Sequence, residues 1–152
     1  MAHRYTADIS WVCDGDFETN AYSRGHVWRF DGGIEVPASA SPTVVPLPQS
    51  REDAVDPEEA FIAAISSCHM LWFLDLARQA GFSVRSYRDI AEGEMTRIGR
   101  GKMAITAVTL HPEIAYAGAE PGETAVADLH HRAHEACFIA NSVTTEIRIE
   151  PR

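Results

Sequence analysis

The fold of this chain is decided by residues 56–82, DPEEAFIAAISSCHMLWFLDLARQAGF. The stretch opens with the signals of a helix N-terminus, because Asp56 can cap a helix and Pro57 suits its first position. Glu59 lies three residues after Asp56 and completes a capping-box pattern. Glu58 adds negative charge at the positive end of the helix dipole. We therefore predict a helix that begins at about Pro57.

The predicted helix ends near Ala80, because Gly81 is a natural residue to terminate it. Its middle is apolar on nearly every side. A helix of this kind is buried all round, in the centre of a domain or at a dimer interface. One domain of 152 residues rarely encloses so long a helix by itself, so the pattern favours a dimer.

Strand-like segments lie on both sides of this helix. The predicted strands are RYTADISWV, HVWRF, IEVPASA, FSVRSYRDIAEGEM, KMAITAVTLHPEI and SVTTEIRIEP. Asp31-Gly32-Gly33 marks a hairpin turn, residues 42–55 form a loop, and a second helix begins near Pro121 and runs through ETAVADLHHRAHEAC. The fourth and fifth strands form an antiparallel pair. This order predicts an α+β fold, with helices on one face of an antiparallel sheet, in a single domain over residues 1–152.

The charge balance excludes several classes of partner. The chain has 13 Lys plus Arg and 22 Asp plus Glu, which gives a formal net charge of −9. Nucleic-acid binding needs a basic footprint, and docking on anionic lipid needs basic residues as well. We therefore expect neither a nucleic-acid partner nor a membrane surface.

The hydropathy pattern and the cysteine count favour a cytoplasmic protein. The longest apolar-rich stretch is interrupted by Ser66, Ser67, His69 and Asp75, so we predict no membrane span. The first residues, MAHRYTADIS, lack the apolar run of a secretory signal. Three cysteines are an odd number, which does not fit a secreted disulfide framework.

Cys68 lies in the middle of the first predicted helix, Cys137 near the end of the second, and Cys13 in an early turn. Unpaired cysteine is among the most buried residue types, so core packing explains each of them taken singly. Their spacing in the sequence does not show that Cys68 and Cys137 meet.

Two segments together resemble the OsmC/Ohr family of organic hydroperoxide reductases. One is the capped helix of residues 56–82, with its Pro-Glu start and interior cysteine. The other is AHEACFIANS, residues 133–142, followed by a last strand. The resemblance implies an OsmC-like fold, in which antiparallel sheets wrap two long central helices in an intertwined homodimer. It also implies a cysteine-based thiol peroxidase active in the oxidative stress response, without a cofactor or metal.

The resemblance implies a role for each cysteine. Cys68 matches the peroxidatic cysteine, whose thiolate attacks the peroxide and becomes a sulfenic acid. Cys137 matches the resolving cysteine, which condenses with that sulfenic acid to form a disulfide. A dithiol, either a lipoyl-type protein or a small thiol, then regenerates both thiols. Cys13 has no partner in this scheme.

A thiolate at neutral pH needs a fixed cation, because an apolar site by itself raises the pKa of a thiol. By the resemblance, Arg24 is that cation and Glu58 holds it in a bidentate pair. Arg29 is the alternative arginine, since Arg24 lies across a loop of uncertain length. From the sequence alone, each residue also has a simpler interpretation. Glu58 can be a charge at the helix start without a catalytic role, and Arg24 can be an ordinary solvated residue of a loop.

The family's preference for bulky organic hydroperoxides implies an apolar substrate pocket. The candidate lining residues are Phe61, Trp72, Phe73, Phe138 and Ile139. Core packing explains the same residues equally well. His69 departs from the family pattern, and it is expected to face a different surface from Cys68, because adjacent helical side chains point about 100° apart.

Two other hypotheses remain. His130, His134 and Cys137 share one face of the second helix, next to His131, and such a face can bind zinc in a metal-binding module. A solvent-facing polar side of the helix explains the same histidines. The second hypothesis is a non-enzymatic protein of the same fold, with a ligand-binding or stress-related structural role, in which the cysteines only pack.

Overall fold

The computed structural model describes residues 1–152, and it confirms the helix predicted after Asp56. Helix α1 spans Pro57–Gln79. Its capping box is formed, because the Glu59 amide donates to Asp56 Oδ1 at 2.8 Å and the Asp56 amide donates to Glu59 Oε2 at 3.2 Å. Gly81 follows the helix with a φ of 86°, in the left-handed region that glycine adopts at least cost.

The chain divides into two compact units, unit 1 of residues 1–60 and unit 2 of residues 61–152. Unit 1 contains the strands β1 (Ala7–Ser10), β2 (Gly15–Asp16), β3 (Ala21–Tyr22), β4 (His26–Phe30) and β5 (Glu35–Ala38), and the first residues of α1. Its sheet has the antiparallel order β1-β4-β5, and β2 and β3 form a small separate hairpin. The turn predicted at residues 31–33 joins β4 to β5, where the Gly33 amide donates to the Phe30 carbonyl.

Unit 2 contains the rest of α1 and five further strands. These are β6 (Ser83–Asp89), β7 (Glu92–Gly99), β8 (Lys102–Leu110), β9 (Pro112–Ala117) and β10 (Glu146–Ile149), with α2 (Glu123–Ala136) between the last two. A short 3-10 helix, Ala140–Ser142, follows α2. The mixture of antiparallel sheets and two helices confirms the predicted α+β class.

The predicted antiparallel pair of long strands is present, but it is broken into two parts. β7 pairs with β8, and β6 pairs with β9 in a separate sheet. Asp89 lies at the break, where its Oδ1 accepts the His111 amide at 2.7 Å and its Oδ2 accepts the Ser66 hydroxyl at 2.5 Å. The Asp89 carboxylate therefore satisfies a backbone donor at the break and ties the break to α1.

The last strand departs from a purely antiparallel sheet. β10 pairs with β8 in parallel, so the sheet order is β10-β8-β7. Thr145, just before β10, donates its hydroxyl to the Ile105 carbonyl at 2.8 Å.

A single stripe of α1 is buried within the chain, although the sequence predicted burial on every side. The buried residues are Ile65, His69, Phe73, Leu76 and Ala77, and their spacing places them on one helix face. Leu71 lies outside this stripe and is 62% exposed. Within the single chain only one face of the helix is covered, and other apolar positions are exposed. Burial of those positions at a dimer interface, the other possibility that the sequence left open, stays a prediction.

The length and composition of α1 also meet the requirement for a membrane span, contrary to the expectation from its polar interruptions. The core helix of a soluble protein passes the same test. Here Phe73, Leu76 and Ala77 pack with Leu129 and Ala133 of α2 in one core cluster. Packing in a core thus accounts for the apolar character of this stripe.

Candidate functional site

The two cysteines implied as a redox pair lie together in unit 2. Cys68 is half-buried in the middle of α1, and Cys137 is 1% exposed at the C-terminal cap of α2. The Cys137 thiol lies next to the Cys68 side chain, close enough for Cys68 to perturb its pKa. Both are free thiols.

Burial and the neighbouring Cys68 side chain raise the pKa of Cys137 to about 11. The Ala140 amide donates to Cys137 Sγ at 3.4 Å, which acts in the opposite direction. At neutral pH, Cys137 is therefore a protonated thiol.

Cys68 opens onto an apolar cavity of about 340 Å³, here called the thiol cavity. Its lining residues are Cys68, Leu71, Trp72, Asp75 and Phe138. Trp72 and Phe138 contact each other edge to face, with ring centroids 5.4 Å apart. Phe138 is 67% exposed. The cavity is thus an open, mainly apolar groove with Cys68 in its wall.

Three of the five residues proposed for the substrate pocket lie elsewhere. Phe73 is completely buried and packs against Tyr87 and His130. Phe61 and Ile139 pack against a second core cluster around Ile65, Val108 and Leu110. The structure therefore corrects these three assignments to core packing, because their side chains fill the space between α1 and the sheets. Trp72 and Phe138 do line the cavity at Cys68.

Arg24 lines a different cavity, which lies within unit 1 and is here called the arginine cavity. Its volume is about 470 Å³, and its lining residues are Ile9, Trp11, Phe17, Tyr22, Arg24, His26, Ser39, Ala40 and Pro57. Three of the aromatic rings contact one another, at centroid distances of 4.9–6.1 Å. The cavity therefore combines aromatic walls with one guanidinium group.

The Arg24 side chain is held without any acidic partner. Its Nη1 donates to the Tyr22 carbonyl and its Nη2 to Asn20 Oδ1, each at 2.6 Å. The guanidinium also lies over the Tyr22 ring, 3.6 Å from the centroid. No ion pair joins it to Glu58, which also belongs to unit 1. The bidentate pair that the resemblance implied is thus absent from the single chain, because the guanidinium is already bound to neutral oxygens.

Arg29, the alternative arginine, is less suited to stabilise a thiolate. It lies on the exposed face of β4, where its Nε donates to Glu35 Oε1 at 2.5 Å and its Nη1 is 3.9 Å from Asp8 Oδ2. These two carboxylates neutralise its charge. Between the two arginines, Arg24 is the one whose charge is available to an anion.

The histidines of α2 form neither the zinc site nor the wholly solvent-facing side of the helix that the sequence suggested. His130 is 4% exposed and is hydrogen-bonded to His69, with 3.0 Å between His130 Nδ1 and His69 Nε2. The two rings are stacked nearly parallel. Burial lowers the pKa of each imidazole to about 4. His69 therefore faces the core and not Cys68. This confirms the prediction that these two adjacent residues of the helix point to different surfaces.

No three His, Cys, Asp or Glu side chains are arranged to hold a metal ion. His130 is engaged with His69, and Cys137 with Cys68. The zinc hypothesis for His130, His134 and Cys137 therefore has no geometric support, and the solvent-facing interpretation is wrong for His130.

The sequence did not single out the aromatic residues around Arg24 or the pairing of two buried histidines. Trp11 and Phe17 belong to a stretch interpreted as a strand end and a polar turn. The available signal was large aromatic residues within a segment rich in Asp, Gly and Thr, since exposed aromatic side chains mark binding surfaces. Nothing in the sequence marked His69 and His130 as partners.

Comparison with known proteins gives a family match and a set of similar structures. The family described as OsmC-like protein matches residues 50–152. No curated protein sequence matches the chain. An OsmC-like protein of unknown function from Vibrio cholerae has a structure with a TM-score of 0.96 and 46% sequence identity, over 99% of this chain and 100% of that one.

More distant structures share the fold. The organic hydroperoxide resistance protein of Elizabethkingia anophelis has a TM-score of 0.68 at 21% identity, covering 99% of this chain and 96% of that one. OhrB of Bacillus subtilis, also an organic hydroperoxide resistance protein, has a TM-score of 0.68 at 16% identity, covering 97% and 98% of the two chains. At these identities the likeness shows a common architecture.

Proposed function

Because this chain belongs to the OsmC-like protein family, we propose that it is a cysteine-based thiol peroxidase that reduces organic hydroperoxides to alcohols in the cytoplasm. The observation that carries the proposal is the adjacent pair of free thiols, Cys68 and Cys137. One thiol opens onto an apolar cavity and the other is buried behind it. Core packing alone gives no reason for a half-buried cysteine to face an open groove.

In the first step, the Cys68 thiolate attacks the distal oxygen of the hydroperoxide. The O–O bond breaks, the Cys68 sulfur gains that oxygen as a sulfenic acid, and the alkoxide leaves as an alcohol after taking up a proton. The apolar walls formed by Leu71, Trp72 and Phe138 receive the alkyl group. These walls favour bulky organic hydroperoxides over hydrogen peroxide, because only the former gain from leaving water.

In the second step, the Cys137 sulfur attacks the Cys68 sulfenic acid. A disulfide forms and water is released. The Cys137 thiol loses its proton as its sulfur attacks, and that proton leaves with the sulfenic oxygen in the water molecule. A dithiol, from a lipoyl-type protein or a small molecule, then reduces the disulfide and is itself oxidised.

Arg24 and Glu58 complete the proposed site. The guanidinium of Arg24 has no carboxylate neighbour within unit 1, so its full charge can stabilise the Cys68 thiolate and the developing alkoxide. Glu58 makes no ion pair in the single chain, and we assign its pairing with Arg24 to the assembled homodimer. The apolar positions of α1 that stay uncovered, such as Leu71 at 62% exposure, support a dimer of this kind.

The direct test is mass spectrometry of the protein after one equivalent of cumene hydroperoxide. We expect a disulfide between the peptides that carry Cys68 and Cys137. Steady-state turnover with a dithiol should vanish in Cys68→Ser and persist in Cys13→Ser, the matched control at an exposed cysteine. Cys137→Ser should undergo a single oxidation without turnover. Equal peroxide consumption by the wild type and Cys68→Ser would overturn the assignment.

A pair of arginine variants tests the cation. Arg24→Gln should slow peroxide turnover by about a hundredfold, the typical loss when one group that stabilises developing charge is removed. Arg29→Gln is the control, because that guanidinium is neutralised by Glu35 and Asp8. The reverse order of effects would assign the role to Arg29.

Light scattering after size exclusion tests the homodimer and should give twice the 16.7 kDa chain mass.

A further inference from the structure

One hydrogen bond joins α1 directly to α2, and it lies between two buried histidines. The 3.0 Å bond links His69 Nε2 to His130 Nδ1, with the ring planes 8° apart. No other hydrogen bond connects these two helices. The apolar packing between them, which includes Leu76 and Leu129, is non-directional. The histidine pair is therefore the contact that sets a defined distance between atoms of α1 and α2.

Each histidine belongs to a segment that carries one of the two thiols. His69 directly follows Cys68 in α1, and His130 lies in α2 about two turns before Cys137. The two histidines are 1% and 4% exposed, so water does not compete for their bond. Because a helix moves as a rigid element, a displacement of α2 that stretches this bond also moves Cys137 from its place beside Cys68.

His130 is held by α1 at a second point. Its ring lies against Phe73 at a centroid distance of 4.4 Å, and Phe73 is one helical turn beyond His69 on the same face of α1. His130 therefore cannot slide along α1 without losing one of the two contacts. Core packing alone gives no reason for nitrogen atoms here, because burying a polar ring costs free energy and each ring leaves its second nitrogen without a partner.

Disulfide formation is sensitive to the relative position of the two helices. A disulfide requires an S–S distance of about 2.05 Å and Cα atoms within about 4.4–6.8 Å of each other. The attack of Cys137 on the Cys68 sulfur therefore depends on where α2 ends. The attack of Cys68 on a peroxide uses a sulfur of α1 alone. A small displacement of α2 thus affects the second step of the proposed reaction and leaves the first step unchanged.

We propose that His69 and His130 are positioning residues, whose hydrogen bond holds Cys68 and Cys137 in the relative position that disulfide formation requires. Their part in turnover rests on the proposed function, because only there is the disulfide a step of catalysis. Neither ring lines the thiol cavity, so neither contacts the peroxide.

The test measures the Cys68–Cys137 disulfide against glutathione, in the Cys13→Ser background where only these two cysteines remain. The protein dithiol and oxidised glutathione exchange to give the protein disulfide and two molecules of reduced glutathione. Alkylation followed by mass spectrometry gives the fraction of each form. This equilibrium reports how well the two thiols are placed for each other, and it needs no peroxidase activity. If cumene hydroperoxide fails to oxidise Cys68, the peroxidase proposal falls and this test still decides the present one.

Two substitutions at one position separate the hydrogen bond from the packing. His69→Gln places an amide group near the position of Nε2, where it can donate to or accept from His130 Nδ1. His69→Phe keeps a ring and loses the bond. We expect the equilibrium constant for the disulfide to fall about tenfold in His69→Phe, the size of effect when a buried polar atom loses its partner. That fall raises the reduction potential by about 30 mV. His69→Gln should stay near the wild type.

The reaction with one equivalent of cumene hydroperoxide gives a second measurement. His69→Phe should form the Cys68 sulfenic acid at the wild-type rate and convert it to the disulfide about tenfold more slowly. With excess peroxide, the sulfenic acid that persists should take up a second peroxide oxygen and become a sulfinic acid, with release of a second alcohol.

Leu76→Val is the control for packing, because Leu76 lies in the core cluster between the same two helices. It should lower the free energy of unfolding without changing the glutathione equilibrium. If His69→Phe does not fold, His130→Asn and His130→Leu make the same comparison from α2. The asparagine amide lies near the position of Nδ1, and leucine offers no polar atom.

Three results would overturn the proposal. The first is an unchanged glutathione equilibrium in the variants that lose the hydrogen bond. The second is an equal fall in His69→Gln or His130→Asn, which keep the bond. The third is an equal fall in Leu76→Val, which would assign the placement of the thiols to apolar packing. Equal slowing of both peroxide steps in His69→Phe would also contradict a role confined to the disulfide.

Discussion

Lowering the pH from 7 to 5 should destabilise the fold through the buried pair of His69 and His130. These side chains are 1% and 4% exposed. Burial is the main cause that lowers the pKa of each from 6.5 to about 4, and the nearby charges of His130 and His134 lower that of His69 further. Asp89 acts against the shift at His130.

The sign follows from proton uptake. In the unfolded chain both imidazoles have their ordinary pKa near 6.5, so below that pH the unfolded state binds more protons than the folded state. Stability is therefore lost as the pH falls through 6.5, and the loss grows until the folded-state pKa is reached. Between pH 7 and pH 5, a native pKa of about 4 corresponds to about 2 kcal/mol for each imidazole.

The assay is urea unfolding followed by tryptophan fluorescence, at pH 7 and pH 5 and at one fixed protein concentration. The double variant His69→Gln/His130→Phe removes both titrating groups and should lose much less stability over this interval than the wild type. His3→Gln is the control, because His3 is exposed. If that double variant does not fold, the imidazole nitrogen shifts of the wild type give the same answer. Protonation of either ring near pH 6.5 would refute the reasoning, as would an equal loss of stability in the double variant.

Three other changes have defined expectations. Asp56→Ala removes the acceptor of the capping box and should lower the free energy of unfolding by about 1 kcal/mol in a urea titration; an unchanged midpoint would contradict the cap. Gly93→Ala places a Cβ 2.5 Å from Ile62 and should cost about 1–3 kcal/mol, whereas Gly99→Ala meets nothing and should be nearly neutral. Phe138→Ala opens the thiol cavity and should raise the KM for cumene hydroperoxide several-fold, with hydrogen peroxide turnover unaffected, if that wall selects the alkyl group.

Helix α1 was predictable because its signals are local. Three signals lie within one turn of the helix ends: the cap at Asp56, the proline at the first position and Gly81 after the last turn. In the structure the helix begins at Pro57 and ends at Gln79, next to these residues. Its burial was not predictable, because which face of an apolar helix is covered depends on the strands that pack on it.

The break in the long hairpin also lay beyond the sequence pattern. Residues 82–95 have the composition of one continuous strand, and the interruption after Asp89 depends on the His111 amide and the Ser66 hydroxyl. Both partners are far away in the sequence. Periodicity identifies extended backbone, but it does not show where a side chain replaces a backbone acceptor.

The candidate site was predictable to a different extent for each residue. The pairing of Cys68 with Cys137 was implied by a family motif, and the two side chains are neighbours in unit 2, but their redox roles stay a prediction. The lining of the pocket was less predictable, because aromatic residues serve cores and cavities equally well. Phe73 and Phe138 differ in exposure, at 0% and 67%, although both are phenylalanines beside a cysteine-bearing segment.

The broken hairpin of residues 83–117 has a consequence for how this part of the chain folds. The β7–β8 pair is closed by a tight turn near Gly101 and is nested inside the β6–β9 pair. Once β7 and β8 have paired, the ends of β6 and β9 are already close together. The entropy cost of closing the loop between β6 and β9 is then that of a loop of only a few residues. The conformational search is thus ordered from the inside outwards, and substitutions near the turn at residues 99–102 should slow refolding more than equally destabilising ones in β6.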